Sequence, residues 1–245
     1  MTKISTVICY CSNEKRFIDD CINAVRPFSH KVMVSVGDHF FDGTPEDIEL
    51  LEQHQKDHPD VDFLVFEWQF GEIPRYWHNY ARLIGASKVK EDCDWVLFID
   101  ADEVIETALF TEFIKKLPEE PSINSYKLAN YWYFREPYYR ADEIEDSIVL
   151  VRSEYSTSIN IYDKYKEREQ FEFYNTPRKT MWNDQPMAHH YSWVRTKEEM
   201  LQKVKAWGHA NDKNWPVLVE EEFSRDFNGK SFLNNYTFKD IRDVS

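Results

Sequence analysis

The residues with the clearest chemical potential are Asp100 and Asp102, which follow the apolar run Trp95-Val96-Leu97-Phe98-Ile99. Side chains alternate along an extended chain, so these two carboxylates point the same way. Held together they repel, unless solvent screens them or a cation lies between them. A hard divalent ion that also touches diphosphate oxygens satisfies that arrangement. The same acids also suit a simpler role, because carboxylates ahead of a helix at residue 106 favour its positive end.

These carboxylates belong to a regular series of elements. Residues 4–11 read as a buried strand, and 15–26 as an amphipathic helix with Phe17, Ile18, Cys21, Ile22 and Val25 inward. A strand at 31–36, a helix at about 45–57, a strand at 62–67, a helix at about 74–91 and a strand at 95–99 follow. Strands alternating with helices predict an α/β domain with a mostly parallel central sheet flanked by helices. Ligands of such sheets sit at the carboxyl ends of strands. Polar clusters stand at three of those ends: Ser12-Asn13-Glu14, Gly37-Asp38, and Asp100 to Glu103.

The second half is richer in aromatic residues. It predicts a helix at 106–117, strands at about 125–134 and 147–152, a capped helix opened by Thr196-Lys197-Glu198-Glu199, and a short helix near 216–224. A single domain is expected over 1–245, with a first half at 1–118 and an aromatic-rich half at 119–245 that carries a C-terminal helix and tail. The net charge of −14 and the lack of a basic stripe argue against nucleic acid as a partner. An acidic protein that binds a diphosphate therefore needs local cations or helix N-termini. The four cysteines have no disulfide-like or Cys-x-x-Cys spacing, and no apolar stretch reaches membrane-spanning length. No leader precedes the first strand, so a soluble, cytoplasmic protein is expected.

Four ordered motifs within 1–118 resemble the family-2 glycosyltransferases and their relatives with the GT-A fold. They are Asn13-Glu14 after the first strand, the loop from Gly37 to Thr44, the stretch Ala81-Arg82-Leu83-Ile84-Gly85, and Asp100-Ala101-Asp102. The small size also resembles compact virus-encoded glycosyltransferases. The resemblance implies that 1–118 is the nucleotide-sugar-binding half and 119–245 the acceptor half, that Asp38 contacts the base or ribose of a nucleotide, and that Arg82 lies near the diphosphate. It implies that Asp100 reaches the ribose or a metal-bound water, and that Asp102 binds the metal directly. Guanidinium pairs well with phosphate oxygens, which agrees with the role given to Arg82. In other settings Arg82 would make a helix-surface salt bridge and Asp38 would cap a turn.

A late histidine returns to the metal site in several such enzymes. By that likeness His190 in Ala188-His189-His190-Tyr191-Ser192-Trp193 is the metal candidate, with His189 as the second choice. A mixed Asp/His site suits Mn2+, with Mg2+ also able to serve. Inverting transfer needs a carboxylate base for the acceptor hydroxyl. Asp142, Glu143, Glu145 and Asp146 are available, and Asp146, which introduces a strand ending at Arg152, is the candidate. The alternative is that these acids form a solvated loop. Trp132, Tyr133, Tyr138 and Tyr139 offer stacking surface to a sugar, although Trp132 and Phe134 also suit a core.

The expected activity is metal-dependent transfer of a sugar from a nucleotide diphosphate donor, most often a UDP-sugar, to a glycan or glycoprotein acceptor with inversion. Two rivals remain. Asp100-Ala-Asp-Glu-Val104 resembles the nucleophile motif of haloacid-dehalogenase-like phosphatases, although three strands precede it here. A non-catalytic carbohydrate-binding module would leave the acidic strand ends unexplained.

Overall fold

A computed structural model describes residues 2–68, 71, 73–163 and 168–243. Its first half contains β1 (Ile4–Tyr10), α1 (Ile18–Val25), β2 (Ser29–Gly37), α2 (Ile48–Asp57), β3 (Asp62–Phe66), α3 (Pro74–Val89), β4 (Trp95–Asp100), β5 (Glu103–Ile105) and α4 (Thr107–Ile114). The second half adds β6 (Ser125–Phe134), β7 (Glu136–Arg152), β8 (Ala188–Trp193), α5 (Lys197–Ala206), α6 (Trp215–Phe223) and β9 (Phe238–Asp240).

One sheet carries the strands in the order β3-β2-β1-β4-β7-β6-β8-β5, with β9 paired to β7. The β3-β2-β1-β4 part is parallel throughout. From β4 onward the pairing is mixed, because β7 runs antiparallel to both β4 and β6, while β6 and β8 are parallel. The α/β reading with a parallel first half therefore holds, and the second half extends the same sheet.

Alternation along β4 explains why the sheet is buried on both faces. Trp95, Leu97 and Ile99 pack with Ile18 and Ile22 of α1 and Phe110 of α4. Val96 and Phe98 face the other way, against Ala86 and Val89 of α3 and Phe171. Gly85 lets α3 lie close to the sheet: a Cβ there would fall 2.5 Å from Val7 Cγ1 and 2.6 Å from Ser35 Oγ.

A third cluster joins Trp132, Phe134, Trp193, Met200, Val204, Trp215 and Phe238. It packs α5 and α6 against β6, β8 and β9, and it absorbs much of the aromatic excess of the second half. Trp132, Tyr133 and Phe134 are buried core residues, which removes Trp132 and Tyr133 as sugar platforms.

Two segments differ from the sequence-based expectation. Asp142 to Asp146 lie inside β7, paired with β6, rather than in a solvated loop. Ala188 to Trp193 form β8 between β6 and β5. Both segments owe their strand form to neighbouring strands, since their own patterns are too polar to announce it, whereas the apolar end of β7 was expected as a strand at about 147–152. Among the described residues no helix is long and apolar enough to cross a membrane.

Candidate active site

Parallel pairing puts the polar turns side by side at the carboxyl end of the sheet. Cys9 of β1 registers with Asp100 of β4, so the Ser12–Glu14 turn and the Asp100–Asp102 turn emerge together. They open onto a cavity of about 310 Å³ lined by Asn13, Glu14, Glu46, Asp100, Asp102, His190 and Lys203, and on its apolar side by Phe41, Trp77 and Trp207. That volume is at the small end of ligand pockets, which span about 300–1,000 Å³.

Asp100 is held by two guanidinium groups. Arg82 Nη2 lies 3.1 Å from Oδ1, and Arg168 pairs with Oδ2. Burial alone would raise the pKa of this carboxyl, but Arg168 and Arg82 outweigh it and hold Asp100 well below the usual carboxylate range. Arg168 also contacts both oxygens of the fully buried Glu103, at 2.8 and 2.9 Å. Arg82 is fully buried and lies outside the cavity lining, so it orients Asp100 from below.

Asp102 has different partners. Lys203 Nζ is 3.3 Å from its Oδ2, and His190 Nε2 is 3.6 Å from its Oδ1. The β5–β8 ladder creates this meeting, because Glu103 registers with His190. On its other side His190 Nδ1 is 3.9 Å from Glu145 Oε2, an electrostatic rather than a hydrogen-bonding distance. Burial disfavours the imidazolium, but Glu145, Asp102 and Glu103 together raise the His190 pKa to about 9. His189 points away, between Glu106 Oε1 at 2.5 Å and Tyr133 Oη at 2.6 Å. Of the two histidines, His190 is the one brought to the aspartates.

Glu14 lies under the same cavity. Arg195 donates to Glu14 Oε2, and Lys203 Nζ donates to Oε1 at 2.9 Å. The amide oxygen of Asn13 is buried without a hydrogen-bond partner, as are the indole N–H groups of Trp77 and Trp207. Buried polar atoms usually have partners, so these three are exceptions among the residues that line the cavity.

The remaining sequence candidates fall nearby. Asp38 does not line the cavity, although Gly37 and His39 on either side do. Its Oδ1 accepts from the backbone N–H of Trp68 at 2.7 Å and lies 2.9 Å from His39 Nδ1. Asp146 is outside the lining as well. Arg178 grips both its oxygens, at 2.9 and 3.0 Å, and the Lys179 N–H donates to Oδ2 at 3.2 Å. Burial would raise its pKa, but Arg178 and Lys127 lower it below the ordinary carboxyl value, which leaves Asp146 a weak proton acceptor.

Several site residues have little or no signal in the sequence. Lys203 lies three residues from Met200 and one from Val204 on the inward face of α5, a lysine at a core position. Glu46 accepts from Ser12 N at 3.1 Å and Asp47 N at 2.9 Å, and burial raises its pKa despite them. Arg168 sits in a weakly patterned stretch that gave no indication of its role.

Among the described residues no group of three or more His, Cys, Asp and Glu side chains is arranged to hold a metal by itself. Asp102 and His190 nevertheless offer two donors 3.6 Å apart, provided a cation displaces the imidazole proton that the nearby carboxylates favour. That partial set fits a cation that completes its shell with phosphate oxygens and water, as Mg2+ and related ions do.

A family model for Glycosyl transferase family 2 matches residues 6–200. The mannosyltransferase of Pyrobaculum calidifontis, solved with GDP-mannose and Mn2+, is similar at a TM-score of 0.50 and 10% identity, over 92% of this chain and 70% of that one. Glucosyl-3-phosphoglycerate synthase of Mycobacterium tuberculosis, solved with Mn2+, UDP and phosphoglyceric acid, matches at a TM-score of 0.45 and 13% identity, over 98% and 86% of the two chains. No curated protein matches the sequence significantly.

Proposed function

Since the chain belongs to glycosyl transferase family 2, and is a nucleotide-sugar glycosyltransferase on that ground, we propose that it transfers a sugar from a UDP-sugar to a hydroxyl of a glycan acceptor, with inversion and with Mn2+ or Mg2+. The observation that carries this reading is the cavity at the carboxyl ends of β1 and β4. There Asp100, Asp102, His190 and Lys203 line one cavity together with Asn13, Trp77 and Trp207.

In this reading Asp102 and His190 hold the cation. Bound there, it would neutralise charge on the departing diphosphate. Asp100, fixed by Arg82 and Arg168, accepts a hydrogen bond from the donor ribose or from a water. Asp38 and the residues beside it border the nucleoside end. The aromatic side of the cavity excludes water from the donor.

In this reading Asp146 is not the base, since Arg178 contacts both its oxygens. Glu145 takes that role in the proposal. Adjacent residues of a strand face opposite ways, and Glu145, which like Asp146 does not itself line the cavity, is the one turned toward His190, which does. Its carboxylate would accept the acceptor's proton.

A thermal-shift series with UDP, GDP and dTDP, each with and without Mn2+, tests the reading. UDP with Mn2+ should raise Tm by several degrees, and Asp102→Asn should remove the Mn2+-dependent part. If no nucleoside diphosphate stabilises the protein with metal, the donor assignment falls.

A further inference from the structure

We propose that Lys203 is a phosphate-binding group of the donor site, resting on Glu14 and Asp102 in the free protein and pairing with the donor's diphosphate when it binds. This rests on the donor-site reading above and adds a contact to it.

Among the described residues, four carboxylates at the cavity, Glu14, Asp100, Asp102 and Glu103, pair with four permanent cations. Three are guanidinium groups with fixed tasks: Arg82 on Asp100, Arg168 on Asp100 and Glu103, and Arg195 on Glu14. None of those three lines the cavity, and Lys203 does. Among the described residues, the ammonium of Lys203 is thus the permanent cation that a ligand beside Asp102 would meet.

Its position agrees with that use. Nζ is 2.9 Å from Glu14 Oε1 and 3.3 Å from Asp102 Oδ2, and the side chain is only 9% exposed. Glu14 already has Arg195, so neutralising Glu14 does not by itself require Lys203. An ammonium has three donors on a flexible stem and is a compact point charge. It can keep one carboxylate and turn another N–H to a phosphate oxygen without moving its helix. The helix is well anchored: Thr196 and Glu199 form a capping box at its start, and Arg195 just before it is tied to Glu14. A cation built into the chain gives the diphosphate an affinity that needs no metal.

Binding measured by calorimetry in EDTA, with uridine and UDP as probes, tests the proposal. The wild-type protein should bind UDP about tenfold or more tighter than uridine, the scale of one charge-assisted hydrogen bond. Lys203→Gln should lose that preference while binding uridine unchanged, and Lys203→Arg should keep most of it. A preference that survives intact in Lys203→Gln overturns the proposal and leaves the donor site standing. If Lys203→Gln does not fold, the wild-type comparison decides alone: equal affinities for uridine and UDP in EDTA overturn the role of Lys203. Absence of binding by uridine, UDP, GDP and dTDP, with Mn2+ as well as without, overturns the donor-site reading and this inference with it.

Discussion

Two neighbouring carboxylates of β7 have opposite fates, and alternation along the strand separates them. Asp146 is clamped by Arg178 and the Lys179 N–H, whereas Glu145 faces His190. Glu145→Gln should lower kcat by a hundredfold or so, in the usual range for loss of a general base. Asp146→Asn should leave kcat within a few fold. Its effect belongs to stability. The Asp146 pKa is depressed in the folded protein, so its contribution is present above the unfolded carboxyl value of about 3.9 and is lost as pH falls through the folded value. Urea unfolding at pH 7 should show a loss of about 1 kcal/mol, kept small because Arg178 is half exposed. The same comparison below pH 3 should show the difference fading. The sequence offered both acids and could not separate them, because the choice depends on which face of β7 meets Arg178 and which meets His190.

At the scale of elements, the first hundred residues were legible because their strands and helices bury both faces of a sheet and so repeat apolar residues at clear periods. Close packing of α3 adds a requirement that period alone does not reveal. Gly85→Ala would place a methyl 2.5 Å from Val7 Cγ1 and 2.6 Å from Ser35 Oγ. Helix propensity favours alanine by about 1 kcal/mol, while overpacking costs about 1–3 kcal/mol. The variant should therefore be less stable by up to about 2 kcal/mol, and chemical denaturation will read the sign. Stabilisation would mean that β1 and β2 yield to the helix. The acidic part of β7 and the His-rich β8 escaped the sequence reading for a related reason. Asp142 to Asp146 carry one apolar residue, Ile144, so pairing with β6 specifies the strand where periodicity does not.

Across the whole molecule, residues far apart in the chain close the site. Arg195 and Lys203 lie 181 and 189 positions from Glu14, and His190 meets Asp102 through the β5–β8 ladder. Arg195→Met would remove a buried partner of Glu14, and breaking such a pair costs about 3–5 kcal/mol. Urea unfolding should show that loss, and a change under about 1 kcal/mol would mean that Lys203 alone satisfies Glu14. Sequence by itself determined the alternating α/β order, the capped α5, and the acidic turns after β1, β2 and β4, because local period, capping chemistry and turn residues act over a few neighbours. It also marked Asp100 and Asp102 as a pair. The family resemblance assigned them different tasks, but only the tertiary structure supplied their partners, giving Asp100 to two arginines and Asp102 to His190 and Lys203, because charge pairing in a buried site depends on which distant elements the sheet brings within about 3–4 Å.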